Sequence, residues 1–377
     1  MAVLDLSRVL AGPYATQILG DLGAEVWKIE RPGTGDETRA WGPPFVGGES
    51  AYYLSVNRNK KSVVLDLESA AGRAAARRAA AAADVVVENF LPGDLARMGL
   101  DLAALRRERP RLVTCSITGF GQSGPYADLP GYDAVLQGFV GLMSITGMPE
   151  GPPTKVGVAV VDVMTGAHAA AAILGALVGA LRGRGGAALD VALLEVGVAS
   201  LVNVAQSALV TGEPARRHGN AHPTIVPYQT FEAADGALVV AVGNDAQWVR
   251  LCEALGAPEL AARDEWARNP DRVLHRAEVV DEIARRLAAR PRSEWLARLR
   301  ACRVPAGPVR DVDEVLADPA LAQRGLVSRA SPPSGPPSRV PLLALPWLAD
   351  GARAPVRLPP PRLGEHTGEF MARFGMG

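Results

Sequence analysis

Cysteine is scarce and scattered. The 377 residues hold three, Cys115, Cys252 and Cys302, far apart in the chain. An odd set of isolated thiols builds neither a disulfide frame nor a metal cage, and reads as reduced intracellular cysteine. Net charge is missing too, because 40 basic residues offset 40 acidic ones. Without a basic surplus or a charged tail there is no electrostatic case for nucleic acid or a membrane surface. An anionic ligand must then be held by local charges. Lysine is also rare (Lys28, Lys60, Lys61 and Lys155), so nearly all the positive charge is arginine. No uncharged apolar run reaches the roughly 20 residues that span a bilayer. The apolar run 167–181 carries His168 and reads as a buried helix. The opening "MAVLDLSRVLAGPYA" has no basic n-region or long apolar core, so a signal peptide is not expected and a cytoplasmic location is.

Several generic motifs are absent as well. There is no phosphate loop, no H-E-x-x-H, and no G-x-G-x-x-G between the first strand and helix, where a nicotinamide-binding domain needs it. "GFGQSGP" resembles a nucleophile elbow only loosely, since Pro125 stands where the closing glycine belongs, which argues against Ser123. His218 and His222 have helical spacing, but Gly219 and Pro223 interrupt the segment and no Cys or carboxylate ligand is near. No metal site is expected.

What the chain does have is alternation. Short β-branched runs at "AVLDL", "AEVWKIE", "KSVVLDL", "ADVVVEN" and "RLVTCSIT" are separated by helical patterns such as "ESAAGRAAARRAAAAA". That order predicts an α/β fold, a mostly parallel sheet with helices on its faces. Ligands of such sheets bind beyond the carboxyl ends of the strands. The segments "SRVLAGP", "ERPGTGDETR", "ENFLPGDLARMG" and "ITGFGQSGP" are therefore the ones to watch. Beyond residue 200 the pattern changes. "TIVPYQTFEAADGALVVAVG" reads as a hairpin turning at Asp235-Gly236, and helices follow over about 247–301. This predicts a large domain over 1–200, completed by 326–377, and a smaller α+β domain over 201–325. The proline-rich end is expected to wrap over the first domain as extended segments.

One carboxylate stands apart. In "KVGVAVVDVMTGAHAAAAILGAL" the β-branched run 156–161 leads straight into Asp162, and an Ala-rich helix follows. Asp is a preferred helix N-cap. The free amides of a helix start stabilise a carboxylate and could stabilise charge developing in acyl chemistry. Capping and reactivity are compatible readings of the same residue.

Several segments together resemble the class III CoA-transferases, the superfamily that includes formyl-CoA transferase, carnitine-CoA transferase and α-methylacyl-CoA racemase. They are "VLDLSRVLAGPYATQILGDLGAEVWKIERPGTGDETRAWGPP", "LSVNRNKKSVVLDL", "ADVVVENFLPGDLARMGL", "CSITGFGQSGPYADLPGYDAVLQ", "VDVMTGAHAAAAILGAL", "VPAGPVRDVDEVLADPALAQRGL" and "PRLGEHT", in order through nearly the whole chain. The resemblance implies a Rossmann-like large domain, a small domain, and an interlocked homodimer. It implies that Asp162 is the nucleophile of covalent acyl transfer. CoA thioester and free carboxylate enter as substrates, with no resident cofactor. CoA is expected against Leu10 and Ala11, Arg31, the run Leu65, Asp66, Leu67 and Glu68, then Asn89, Phe90 and Leu91, Arg97, and the turn Pro130, Gly131, Tyr132 and Asp133. Racemases of the family carry a His where this chain has Tyr132, a poor proton-exchange partner at neutral pH. Transferase chemistry is therefore favoured over a racemase-like isomerase or a non-catalytic CoA-binding protein. The segment 216–248 resembles dicarboxylate CoA-transferases of the succinyl-CoA:glutarate type. This points to succinyl-CoA as donor and glutarate, a hydroxymethylglutarate or itaconate as acceptor. Arg216, Arg217, His218 and His222 are the candidates to meet the second carboxylate.

Overall fold

The computed structural model describes residues 1–330 and 340–375. The proline-rich stretch 331–339, part of the segment expected to wrap over the first domain, lies outside the described residues. The chain divides into two compact units. One takes Met1–Met143, Lys155–Glu213 and Pro319–Gly377, and the other takes Ser144–Thr154 and Pro214–Asp318.

Six strands carry the first unit: β1 (Ala2–Asp5), β2 (Glu25–Glu30), β3 (Lys60–Val64), β4 (Val85–Glu88), β5 (Val113–Thr118) and β6 (Ala188–Ala192). They pair in parallel throughout, in the order β3-β2-β1-β4-β5-β6. This is the doubly wound order, in which the winding reverses between β1 and β4. The central strands are buried on both faces, as Val85, Val86 and Val87 illustrate, which is why they read as unbroken β-branched runs. β6 was not foreseen, because "ALDVA" is short and its first four residues are only partly covered.

Helix α1 (Ala11–Asp21) and the long Val160–Leu181 helix cover one face over Val3, Leu19, Val113 and Ile173. On the other face α2 (Ala70–Ala82) lays Ala75, Ala76, Ala79 and Ala80 on Leu4, Trp27 and Val86. Small side chains let this helix lie close to the sheet, and Ser69 caps it by accepting the Gly72 N–H. Two further helices matter below, and are α3 (Asp133–Phe139) and α4, the Val160–Leu181 helix. The burial expected of α4 is confined to one face. Val161, Thr165, Ala169 and Ile173 point inward, while Ala171, Val178 and Leu181 are exposed. By length and composition alone α4 would be long and apolar enough to cross a membrane.

The C-terminal segment returns to this unit. Leu358 accepts the Asn59 N–H, and Pro361 O accepts from Arg39 and the Tyr53 hydroxyl. It closes with a helix that the extended reading missed, α5 (Thr367–Phe374), which sets Phe370 edge-on to Trp27 at 5.5 Å.

The second unit holds an antiparallel sheet of β7 (Tyr228–Ala233), β8 (Gly236–Ala241) and β9 (Ala306–Pro308), with β8 central. Its hairpin turns where the sequence places it, and Gly236 there takes a positive φ. Helices Asp245–Ala254, Arg276–Leu287 and Arg292–Ala301 bury Trp248, Ile283, Trp295 and Leu299 against the sheet.

Candidate active site

The winding reversal puts the loops after β1 and β4 side by side. Asn89, just past β4, fastens them together. Its Oδ1 accepts the Arg8 N–H at 2.9 Å and its Nδ2 donates to Arg8 O at 2.8 Å. The next residue, Val9, has φ +71, an outlier for a β-branched side chain that persists only when its surroundings enforce it. Here the Asp36 carboxylate accepts the Val9 N–H and is itself paired with Lys28 at 2.8 Å. Lys28 also donates to Ser7 O, so one fully buried lysine braces the whole turn. Burial pushes the Asp36 carboxyl up, but Lys28 and the Thr38 donors outweigh it and hold the group at about 2. Lys60 is fully buried alongside, bonded to Asp5, Asn57 and Pro13 O, and burial brings its ammonium down to about 8.

Two adjoining cavities open on these loops. The larger, about 440 Å³, is lined by Arg31, Leu65, Asp66, Leu67, Glu68 and Phe90 together with Lys28 and Asp36. The smaller, about 300 Å³, is lined by Leu10, Ala11, Asn89, Phe90, Leu91, Pro130, Gly131, Tyr132 and Asp162. Arg8, Phe90 and Asp94 belong to both, so the two form one trough along the strand ends.

Asp162 is half-buried in the wall of the smaller cavity, and it is not the N-cap of α4. The helix begins at Val160, with Ala159 at the cap position, so Asp162 is the third residue in. The β-branched run 156–161 misled the reading, for it forms no strand. Its approach to the helix is held instead by α3. Asp133 Oδ1 accepts the Val161 and Asp162 N–H groups at 2.8 and 3.1 Å. Gln137, one turn along α3, donates to Asp133 Oδ2 and Val158 O and accepts the Val156 N–H. The Val160 N–H goes to Val158 O and that of Val163 to Ala159 O. The first-turn amides of α4 are thus all engaged. The expectation that they serve developing charge on an acyl group is overturned. Among the described residues no donor meets the Asp162 carboxylate. Burial, with the neighbouring charge of Asp133, pushes it up to about 7.

The expected CoA residues separate cleanly. All but Arg97 and Asp133 line the trough. Arg97 is exposed and paired with Asp94, which does line it. Asp133 is 8% exposed, with one oxygen engaged at the start of α4 and the other by Gln137, so in place of the expected contact with CoA it has a task inside the protein. In the second unit, Arg217 donates through Nε and Nη1 to Met148 O and Ser144 O. It is a loop-fixing residue. His222 packs its ring tilted against Tyr228, and its backbone carbonyl accepts from Arg276. His218 is exposed, and what burial its ring has, with the charges of Arg276, Arg216 and His222, pushes it down from the ordinary range. Arg216 is exposed.

Two residues escaped the sequence reading. Arg8 reaches both cavities, with Glu37 Oε1 joining its guanidinium to that of Arg31. Position after the first strand was the available signal. Tyr52, on the helix Ala51–Val56, has its phenol raised to about 12 by burial and by the charges of Asp162, Asp133 and Asp36, so it faces the same centre. Nothing local in "SAYYLSV" distinguishes it. No group of His, Cys, Asp and Glu that could hold a metal ion occurs among the described residues.

Known proteins share this architecture and sequence. The chain is 46% identical to a succinate–glutarate CoA-transferase of Agrobacterium fabrum, over 99% of this chain and 94% of that one. It is 43% identical to a human succinyl-CoA:glutarate CoA-transferase, over 97% of this chain and 83% of that one. A crystal structure of a CaiB/BaiF family protein from Brucella suis superposes with a TM-score of 0.86 at 41% identity, covering 99% of this chain and 98% of that one. The sequence pattern of CoA-transferase family III matches residues 1–367. A doubly wound sheet, a trough at its reversal point and a carboxylate in the trough wall thus come together in a class III CoA-transferase, and the chain belongs to CoA-transferase family III.

Proposed function

We propose that this enzyme carries CoA from succinyl-CoA to a small dicarboxylate, glutarate first among them, through covalent acylation of Asp162. The observation that carries this reading is the state of that carboxylate. It is half-buried, raised to about 7, and met by no donor of the described residues, at the wall of a trough rimmed by Arg8 and Arg31. A carboxylate left unsatisfied there is a nucleophile waiting for a partner.

The steps balance without ATP. An Asp162 oxygen adds to the thioester carbonyl, the C–S bond breaks, and the CoA thiolate leaves a mixed anhydride of succinate and Asp162. The thiolate then attacks the Asp162 carbonyl and succinate departs as its carboxylate. The acceptor carboxylate adds to the aspartyl thioester and expels the thiolate, giving a second mixed anhydride; the thiolate then attacks the acceptor's carbonyl, yielding the new thioester and freeing the Asp162 carboxylate. Acyl activation is retained at every stage, provided that water is kept from the anhydride. The guanidinium groups of Arg8 and Arg31 suit the phosphates of CoA through fork-like hydrogen bonding. Tyr132, standing where the racemases of the family carry a His, favours transfer over racemisation. The named activities of the relatives support succinyl-CoA as donor and a dicarboxylate acceptor. Hydroxymethylglutarate and itaconate are further acceptors of the same chemical class. The exposed apolar faces of α4 and of the helix Val202–Thr211 support an interlocked homodimer. A cytoplasmic location is part of the same proposal.

Incubation with succinyl-CoA and hydroxylamine should convert Asp162 to a hydroxamate, read as a mass shift on its peptide. The Asp162→Ala variant should show neither the adduct nor CoA exchange. A parent enzyme that exchanges CoA while its Asp162 peptide stays unmodified would overturn the mechanism. A silent CoA-binding protein would show neither adduct nor exchange.

A further inference from the structure

We infer that Asp133 is a positioning residue for the transfer, holding the start of α4 from outside and keeping the Asp162 carboxylate reactive with its own negative charge. This rests on the reading of Asp162 as the nucleophile and deepens it.

The geometry carries the case. Asp133 opens α3, and its carboxylate faces the amides of Val161 and Asp162, the very groups that a helix start would otherwise offer to an anion. Gln137, wholly buried one turn later, fixes the second Asp133 oxygen and clamps the chain on either side through Val156 and Val158. One face of a two-turn helix therefore sets both the backbone position of Asp162 and the electrostatics around it. Had Asp162 capped its own helix, those amides would have stabilised its charge and dulled it as a nucleophile. With Asp133 in their place, the helix terminus is already neutralised and a second negative charge stands beside the first.

That repulsion favours the forward step. When an Asp162 oxygen bonds to the thioester carbonyl, its charge passes to the departing CoA sulfur and the acylated Asp162 is neutral. The unfavourable pairing with Asp133 exists before the step and is gone after it. A more basic carboxylate is also the better nucleophile. The other charged and titratable groups near the cavity are otherwise engaged. Arg8 pairs with Glu37 and Asp94 with Arg97, while the phenol of Tyr52, raised to about 12, is neutral near pH 7. On α4 itself, His168 points away from the cavity and bonds Met164 O.

The test is the pH profile of Asp133→Asn, which keeps an oxygen for the two amides and removes the charge. With succinyl-CoA and glutarate, the acid limb of kcat should fall by at least about one pH unit from its parent position near 7. At pH 8, kcat should drop about tenfold while KM for succinyl-CoA changes less than about twofold. Asp133→Glu, which restores the charge, should return the acid limb toward the parent. Thermal melts of both variants report whether the α4 start is intact. An unmoved acid limb in Asp133→Asn overturns the inference. So does a raised KM with kcat unchanged, which would make Asp133 a CoA contact after all. The two readings fail separately: if the parent is never acylated at Asp162, the nucleophile reading falls. If the parent is acylated and the Asp133→Asn profile is unchanged, only this inference does.

Discussion

Asp162 stands where burial and a neighbouring carboxylate both oppose its ionised form, so the fold bears a cost for keeping it. The direction follows from linkage. A carboxyl whose pKa rises from 3.8 when unfolded to about 7 when folded binds more protons in the native state between those values. Stability is then highest at low pH, as far as this group is concerned, and is lost as pH climbs from about 4 through 7. Asp162→Asn should therefore melt higher than the parent at pH 8 and alike at pH 4. Three units correspond to at most about 4 kcal/mol, and the group's partial access to water brings the expectation nearer 2 kcal/mol. Equal melting temperatures at pH 8 would mean that the carboxylate is better solvated than its surroundings suggest. At this scale the proposed nucleophile stood out, because a lone Asp between two apolar segments invites the question. Its electrostatic setting was not. Asp133 and Gln137 lie a loop away in sequence, and the spacing that brings them onto the start of α4 belongs to the tertiary fold. Lys28 and Lys60 make the same point, since their rarity was visible and their burial beneath the β1 turn was not.

Elements were easier to read where they were buried on both faces. β1 to β5 carry short runs rich in Val and Ile, continuous in β4, and the hairpin of β7 and β8 carries its turn in Asp235-Gly236. The reading failed at 156–161, where the same residue types form an approach to a helix held by side-chain hydrogen bonds, and at β6, where an edge strand has little to bury. The contact of α1 with α4 shows what a pattern cannot. Gly166, one turn past Asp162, sits so close to α1 that a Cβ there would stand 2.6 Å from Ala11 O and 3.0 Å from the Tyr14 ring. Neither a turn nor a positive φ asks for this glycine; the neighbouring backbone does. Gly166→Val should cost about 1–3 kcal/mol through overpacking. By pushing α4 off α1 it should also lower kcat more than it raises KM. A variant with a parental melting temperature and full kcat would show that the two helices slide without consequence.

Seen as a whole chain, the first unit exposes an unusual amount of apolar helix. Leu181 on α4 and Leu209 and Val210 on the helix Val202–Thr211 are 76%, 80% and 74% exposed, and none of the latter helix is buried. A second copy of the chain is the occupant that the proposed interlocked homodimer supplies. Light scattering should then return about twice the 39.5 kDa chain mass, unchanged on dilution to the nanomolar range. A mass of one chain would remove the dimer. The first unit is also discontinuous, since its last piece arrives from Pro319–Gly377. β1 begins at the second residue to be made and α5 is the last helix, yet Phe370 of α5 rests on Trp27 of β2, and Pro361 O receives Arg39 and Tyr53. During synthesis the ribosome would thus extrude the early strands long before their cover exists. The contiguous stretch from Pro214 to Asp318 could settle while the earlier sheet still waits, bare along one flank, for the chain's final residues. Part of this polypeptide's earliest sheet is covered by its last residues, so its nascent form is the state in which chaperones have most to do.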